Sequence, residues 1–340
     1  MKNKVNREDI ARLAETSVST VSRALNNSGY VKKEKKERIL RAASDLGYFT
    51  HPLSSYMQGK QSRQLLYYCD NMRNSFHIHF YQGMLDVASA NGYMILVNGS
   101  AKFEKLQNFF IDGIILPNED AAQRYLAEVG ENYHLPVVCA SYNEANQLSR
   151  PLPLVEVDMY QAVITALDYL WSLGHRRIGY GTPLRLKSRG ARNRAYKAWV
   201  REKGMYTPEE YFYTVKEDSV CPDFFSLGKR CAEQICENGE PITALLAFND
   251  EFALGALKGF SERKYRVPED ISVMGIDGIY SRRYVSPLLT TMNIMPEVQG
   301  KACIEVMMEI LSGRKYKYIT RTPFTIEEGE STAAYKEGKL

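Results

Sequence analysis

The segment 17–26 carries one long cation among small side chains at helical spacing. Val21, Ala24 and Leu25 recur at i, i+3 and i+4, which predicts one buried helix face. The opposite face presents Val18, Ser19, Ser22 and Arg23. Small residues let a helix enter the major groove of DNA closely, and an arginine can then donate two hydrogen bonds to guanine O6 and N7. The spacing therefore predicts a helix that reads base edges.

Hydroxyl and amide side chains around this face are suited to phosphate oxygens, to which they donate hydrogen bonds. We expect such contacts from Ser17, Thr20, Ser22 and Asn26, and we add Tyr30 to the candidate DNA contacts.

Three short helices are predicted to position these side chains. Asn6 can cap a first helix over 7–14, with Asp9 completing a variant of the capping box, and Ser17 can cap the second. A third helix is predicted over 33–46. The tight connection between the first two helices is that of a helix-turn-helix. Such a pattern on its own is often a plain helical hairpin.

Positive charge is concentrated in the same region. Residues 1–63 hold 13 Lys or Arg against 6 Asp or Glu, a net charge of +7, whereas the whole chain has +4. The remaining residues are therefore net −3. This distribution favours one small module that meets a polyanion, with a solvated basic face as the alternative that charge leaves open.

The run DIARLAETSVSTVSRALNN, followed by a third helix and then HPLSSYMQGKQS, resembles the DNA-binding head and hinge of the lac-repressor (LacI/GalR) family. The T-V-S-R-x-L-N core is specific to that family among helix-turn-helix proteins. The resemblance implies that Val18, Ser19 and Arg23 stand where the family reads base edges.

The segment 51–63 is predicted to be the hinge between this head, residues 1–50, and the body, residues 64–340. The resemblance implies a short helix that orders on DNA and inserts an apolar wedge into the minor groove, with Met57 at the wedge position. Ser54, where the family usually has alanine, is a further candidate DNA contact. A plain linker is the alternative interpretation.

From Leu65 onward, short apolar runs alternate with amphipathic stretches, which argues for an α/β body with parallel sheets. Strands are predicted over 65–69, 94–98, 113–116, 136–140, 177–181, 243–248 and 271–276. Helices are predicted over 80–91, 160–173, 192–203, 227–237, 251–263 and 297–312. The body resembles the two-lobed periplasmic sugar-binding proteins over segments that include 170–180, 247–256, 267–277 and 286–291, so the resemblance covers nearly the whole chain.

Ligands in such folds bind at the carboxyl ends of the strands, in the cleft between the lobes. The resemblance implies that Arg192 reaches into this cleft and that Asn249 and Asp277 end strands at sugar-contact positions. It places Asn74 and Phe76 among the contacts of the N-terminal lobe. We add Phe224 as an aromatic face for a sugar ring.

Each of these residues also has a simpler interpretation. Asn249 could cap the following helix, Asp277 could be a turn residue, and Arg192 could form a surface ion pair of little energetic weight. Ser141 and Tyr142 stand where many members of the family have Asp-Arg, so the pocket half formed by the N-terminal lobe is expected to be unusual.

The predicted function is that of a ligand-responsive, sequence-specific transcriptional regulator that binds double-stranded operator DNA as a homodimer. We expect a sugar as the effector and repression of carbohydrate-utilisation genes as the outcome. A non-sugar metabolite as effector, and activation in place of repression, remain alternatives.

Other functional classes are less well supported. The chain has no G-x-S-x-G, G-x-x-x-x-G-K-S/T or G-x-G-x-x-G motif, so we expect no enzymatic activity and no cofactor. His77 and His79 lack accompanying ligands in sequence, so we expect no metal site. The basic head and the absence of an export signal argue against a transport module. With no apolar run of about 18–20 residues, we expect no membrane contact and a cytoplasmic location.

Overall fold

The computed structural model describes residues 5–25, 30–46, 48, 61–69, 72–99, 102–103, 106, 109–129, 135–142, 148, 151–183, 189–204, 206–215, 223–239 and 242–336. Of the candidate DNA contacts, Asn26, Ser54 and Met57 lie outside these residues. The proposed division into 1–50, 51–63 and 64–340 stays a prediction, because most of the hinge segment is not described.

The head contains helices α1 (Arg7–Leu13), α2 (Val18–Leu25) and α3 (Lys33–Asp45). The predicted capping box is present: the Asn6 side chain accepts the Asp9 amide at 3.0 Å, and the Asp9 carboxylate accepts the Asn6 amide at 2.9 Å. A small core joins the three helices and includes Ile10 from α1, Val21 from α2 and Ile39 from α3, all fully buried. Apolar spacing within each helix therefore produces the packed head that the sequence predicts.

The N-terminal lobe is built on a six-stranded sheet in the order β11-β5-β4-β3-β1-β2, and every pair in it is parallel. Its elements along the chain are β1 (Gln64–Tyr67), α4 (Ser75–Ala90), β2 (Met94–Val97), β3 (Gly113–Leu116), α5 (Glu119–Val129), β4 (Val137–Ser141) and β5 (Leu154–Val157). The chain returns to this lobe later with α10 (Pro296–Leu311) and β11 (Ile319–Thr322).

The C-terminal lobe has a second six-stranded sheet in the order β12-β10-β9-β8-β6-β7. Its elements are α6 (Met159–Ser172), β6 (Ile178–Thr182), α7 (Ala191–Lys203), β7 (Phe212–Thr214), α8 (Phe224–Asn238), β8 (Ala244–Ala247), α9 (Asp250–Glu262), β9 (Ser272–Asp277), a 3₁₀ turn (Tyr280–Tyr284), β10 (Thr290–Asn293) and β12 (Thr325–Glu327). The predicted two-lobed α/β architecture is confirmed.

One feature of this sheet departs from the expectation of purely parallel sheets. β12 pairs antiparallel with β10, with Met292 opposite Ile326. The reason is the short connection from β11 to β12, residues 323–324, which carries the chain directly from one lobe to the other without a crossover helix.

Three segments of the chain connect the lobes: β5 to α6, β10 to α10, and β11 to β12. In the second of these, Met295 has a left-handed backbone, with φ of 52°, and the Asn293 side chain accepts its amide at 2.7 Å. All three connections run between the sheets and not within one, so a change in the angle between the lobes would leave both sheets intact.

Among the described residues, none of the helices combines the length and the apolar character needed to cross a bilayer.

Candidate DNA-reading surface and effector cleft

The face of α2 that the sequence predicts for base reading is open in the structure. Val18 is 42% exposed, and Ser19 and Arg23 are exposed as well, whereas Val21 and Ala24 are buried in the head core. The guanidinium of Arg23 makes one long contact, Nε to the Ser19 carbonyl at 3.4 Å. The arginine is thus free to reach away from the protein.

Hydroxyl groups line the start of this helix. The Ser17 Oγ accepts the Thr20 amide at 3.2 Å and lies 2.8 Å from the Thr20 hydroxyl, so Ser17 caps α2 as predicted. Ser22 is half-buried and accepts a hydrogen bond from the Arg7 guanidinium at 3.0 Å, which ties α2 to α1. Tyr30 is 85% exposed before α3. Whether each of these residues touches phosphate stays a prediction.

In the C-terminal lobe, Arg192 and Asp277 face each other. Arg192 lies in the first turn of α7, and its Nη2 is 3.8 Å from the carboxylate Oδ1 of Asp277, the last residue of β9. Both side chains are largely buried, so this is not the exposed surface pair of the simpler interpretation. The Arg192 Nε is buried and has no hydrogen-bond partner among the described residues. A buried N–H without an acceptor is costly, so this donor is available to a ligand.

Burial raises the pKa of the Asp277 carboxyl well above its ordinary range. The nearby carboxylates of Asp250 and Glu251 raise it further, and Arg192 opposes them. Asp277 has a φ of 138°, a conformation that side chains other than glycine rarely adopt. Asp277 therefore ends β9 in a strained backbone conformation, and its carboxyl group is buried.

An aromatic stack extends the Arg192 side of the cleft. The Arg192 guanidinium lies 4.6 Å from the centre of the Phe248 ring, and that ring stacks on Phe224 with centroids 5.8 Å apart. Phe224 is the first residue of α8, and Phe248 directly follows β8. The sequence prediction included Phe224 and missed Phe248, although its place after a buried strand was a usable signal.

Asn249 and Asn74 are both helix caps. The Asn249 side-chain oxygen accepts the Phe252 amide at 2.9 Å at the start of α9, and the Asn74 oxygen accepts the Phe76 amide at 2.9 Å at the start of α4. The capping interpretation of Asn249 is therefore confirmed. Each side chain still has its amide NH₂ group, and the sequence-predicted ligand contacts would come from these groups.

The N-terminal lobe contributes two aromatic residues. Phe76 is buried and meets Tyr142 edge to face, with ring centroids 6.0 Å apart. The Tyr142 hydroxyl is buried and has no partner in the described part of the chain. Burial and the charge of Glu119 raise the pKa of Tyr142, with smaller effects from Asp277 and Arg192. Tyr142 is therefore a further candidate residue of the cleft, one that the sequence identified only as a departure from the family.

The lobes also touch directly beside these residues. The Ser75 amide, in the first turn of α4, donates to the Glu251 carboxylate of α9 at 3.0 Å. One turn further along α4, His79 Nε2 accepts the Tyr280 amide at 3.0 Å. Because Ser75 follows Asn74 and Glu251 follows Asn249 by two residues, these contacts bring the N-lobe candidates and the C-lobe candidates to one cleft.

Among the described residues, no group of three His, Cys, Asp or Glu side chains is arranged to hold a metal ion. His79 Nδ1 lies 3.1 Å from the Glu297 carboxylate, and His77 Nδ1 lies 2.7 Å from the Tyr67 hydroxyl, so both histidines have protein partners.

Comparison with known proteins adds to this geometry. Residues 8–51 match the model of the bacterial regulatory proteins of the lacI family, and residues 167–332 match a periplasmic binding protein-like domain. The chain is 28% identical over 315 residues, 90% of each protein, to the HTH-type transcriptional repressor CytR of Escherichia coli (strain K12).

Two solved structures show the same fold. The lac repressor dimer bound to operator and the anti-inducer ONPF is 20% identical, with a TM-score of 0.68, and the match covers 98% of this chain and 100% of that one. A complex of the transcriptional regulator CelR with cellobiose is also 20% identical, with a TM-score of 0.66 and coverage of 96% and 100%.

Proposed function

We propose, from the premise that this chain belongs to the lacI family of bacterial regulatory proteins, that it represses carbohydrate-utilisation genes and that a sugar controls its grip on operator DNA. The protein is a ligand-responsive DNA-binding regulator. The observation that carries the DNA-binding half of the proposal is the exposed α2 face around Val18, Ser19 and Arg23. We assign base reading to these three residues.

Backbone contacts are assigned to the surrounding groups: Ser17, Thr20, Ser22, Asn26 and Tyr30. Ser54 and Met57 are assigned to the hinge contact with the minor groove. Family members bind operator DNA as dimers. Two copies of α2 therefore enter successive major grooves of a near-palindromic operator, about 34–36 Å apart.

A neutral polyol suits the composition of the cleft. The Asp277 carboxyl faces Arg192, and an unpartnered guanidinium N–H and the Tyr142 hydroxyl provide hydrogen-bond donors. Asn74 and Asn249 add two amides. Phe76, Phe224 and Phe248 add apolar ring faces, on which the C–H face of a sugar packs. The related CelR structure holds cellobiose.

Regulation follows from where these groups lie. A ligand that contacts Asn74 and Phe76 in one lobe and Arg192 and Asp277 in the other favours a particular angle between the lobes. A coupling free energy of about 1–3 kcal/mol would change operator affinity about 5- to 150-fold.

The test uses the purified full-length protein and its operator, selected from a library of duplexes. A thermal-shift screen of mono- and disaccharides, with nucleosides and amino acids as the comparison set, identifies the effector. We expect at least one sugar to raise the melting temperature and to change operator affinity by fivefold or more. If the protein responds to a nucleoside or an amino acid and to no sugar, the sugar proposal is wrong and the effector is a non-sugar metabolite. A reporter gene driven by the operator separates repression from activation.

The curated relative CytR is a transcriptional repressor, and we propose that this chain likewise binds its ligand without converting it. Recovery of the unchanged sugar after incubation with the protein is the expected result. We propose a cytoplasmic location, in keeping with the DNA partner.

A further inference from the structure

Asp250, the first residue of α9, is a fully buried carboxylate that joins three elements. Its Oδ2 accepts the amides of Gly278 at 2.8 Å and Ile279 at 2.9 Å. Its Oδ1 accepts the hydroxyl of Thr291, on β10, at 2.5 Å. The two amides belong to the turn that directly follows Asp277. The carboxylate of Asp250 therefore fixes the backbone that directly follows Asp277.

The backbone at this point has an unfavourable conformation that must be stabilised by its surroundings. Asp277 has a φ of 138° and Gly278 a φ of 81°. For a residue other than glycine, such a sparsely populated conformation is unfavourable and persists only where its surroundings impose it. The space around the Asp250 carboxylate is also tight, because a side chain at Gly275 would collide with it. Both observations indicate that the Asp250 carboxylate stabilises the unusual backbone conformation of residues 277–279.

The charged groups around Asp250 define its electrostatic setting. Asp277 ends β9, Arg192 extends from α7 beside Asp277, Arg282 lies in the 3₁₀ turn, and Glu251 is the next residue of α9. Burial raises the pKa of Asp250 to about 6, against its three hydrogen bonds and the charge of Arg282. The charge of Asp250 in turn is the second cause, after burial, that raises the pKa of Asp277.

We propose that Asp250 is a positioning residue of the effector cleft: it holds the turn 277–279 so that Asp277 faces Arg192, and its own negative charge opposes the ionisation of Asp277. This proposal rests on the proposed effector function. An ionised Asp277 accepts hydrogen bonds from ligand hydroxyls, and a protonated one competes as a donor. Effector affinity therefore rises with pH as the two carboxyls ionise.

Two substitutions of Asp250 separate its effect on the backbone of residues 277–279 from the effect of its negative charge. In Asp250→Asn the amide oxygen still accepts the Gly278 and Ile279 amides, and the NH₂ group donates to the Thr291 hydroxyl, so the turn is kept and the charge is lost. In Asp250→Ala the turn loses all three contacts. Asp270→Asn and Asp270→Ala are the matched controls, since Asp270 is a partly exposed aspartate of the same lobe, paired with Arg266.

The binding arm uses the sugar, among cellobiose, lactose, ribose and glucose, that raises the melting temperature of the wild-type protein most. Calorimetric titrations run from pH 5 to pH 8. For Asp250→Asn we expect near wild-type affinity at pH 8 and a pH dependence displaced to lower pH, because Asp277 loses a like charge. For Asp250→Ala we expect roughly tenfold weaker sugar binding at every pH from 5 to 8, because Asp277 is no longer held in position. A factor of about ten corresponds to the loss of one charge-assisted hydrogen bond to the sugar.

A second arm needs no ligand. A carboxyl group whose pKa is raised by folding stabilises the native state less as pH rises from about 4 to about 6, because the native state then holds the proton that the unfolded chain releases. The melting temperature of the wild-type protein should therefore fall relative to that of Asp250→Asn across this window. Asp270→Asn should run parallel to the wild type.

The outcomes distinguish the inference from the function on which it rests. If the wild type binds a sugar and Asp250→Asn shows the same pH dependence in both arms, Asp250 has no such role, while the regulator function stands. The same conclusion follows if Asp250→Ala binds the sugar as tightly as the wild type does. If none of the four sugars binds the wild type, the wider screen of mono- and disaccharides decides the sugar proposal, and the ligand-free arm alone confirms or overturns the charge coupling.

Discussion

Replacing Arg23 with alanine tests the base-reading surface most directly. Arg23 is exposed on α2, and its one intramolecular contact, to the Ser19 carbonyl, is 3.4 Å long. Truncation therefore costs the head little stability. A bidentate contact to guanine contributes about 1–3 kcal/mol of discrimination, so we expect Arg23→Ala to weaken operator binding about 5- to 150-fold. On random duplex we expect only the effect of one lost charge per protomer, a change of about 1 per protomer in the salt slope.

The matched control is Arg12→Ala. Arg12 belongs to the same head, its side chain is 80% exposed, and its ion pair with Asp9 on α1 is 3.7 Å long. The two variants lose the same charge and differ in the helix that carried it. Fluorescence anisotropy with labelled operator and with random duplex, at several salt concentrations, gives both the affinity and the salt slope.

Two results would refute the reasoning. Equal weakening of Arg23→Ala on operator and on random duplex would make Arg23 a phosphate contact. Equal loss of operator affinity in Arg12→Ala and Arg23→Ala would mean that the head binds through its charge alone and that α2 is not the reading element.

Three further predictions follow from the same geometry. Phe224→Ala should weaken sugar binding about fivefold in calorimetry, because the ring stack on Phe248 is lost, and leave ligand-free operator affinity unchanged. Lys35→Gln, on α3, should reduce the salt slope of DNA binding by about 1 per protomer without altering the preferred operator. Glu251→Ala removes the contact with Ser75 between the lobes and should increase the radius of gyration in small-angle scattering; an unchanged radius would show that this contact does not hold the lobes.

The head was predictable because its determinants are local. The capping pair Asn6 and Asp9 is three residues apart, and the buried positions of α2 are spaced by three or four. The predicted helix bounds differ from the observed ones by a residue. Capping and apolar spacing act within a single turn, so no knowledge of the tertiary structure was needed.

The body was predictable only where its strands are apolar. β1, β3, β4 and β8 are buried and were expected at their observed positions within one or two residues. Five strands were missed: β5, β7, β10, β11 and β12. β2, at one margin of the first sheet, was predicted within one residue of its observed bounds. β11 and β12 contain threonine, arginine and glutamate and are partly exposed, so they show no apolar run. Their strand conformation comes from pairing with β5 and β10, which are distant in sequence.

The cleft shows the same division. Arg192, Asn249 and Asp277 were identified through the resemblance to the family, and each lies near the end of a strand or the start of a helix. Tyr142 and Asp250 were not assigned a role, because their roles depend on distant partners. The Asp250 carboxylate accepts hydrogen bonds from residues that lie 28, 29 and 41 positions away along the chain. Contacts over such separations are fixed by the packing of the sheet and not by any local pattern.

The route from the cleft to the head is constrained by the first residues of the body. The amides of Ser62 and Arg63, directly before β1, donate to the Asp112 carboxylate, each at 2.9 Å. This carboxylate precedes β3, which pairs with β1, so the point where the hinge leaves the body is fixed to its own sheet. A ligand that rotates the lobes therefore cannot move this point within one N-terminal lobe. In the proposed dimer it can change the distance between the two such points, so we expect that dimer to transmit the signal as well as to bind two half-sites.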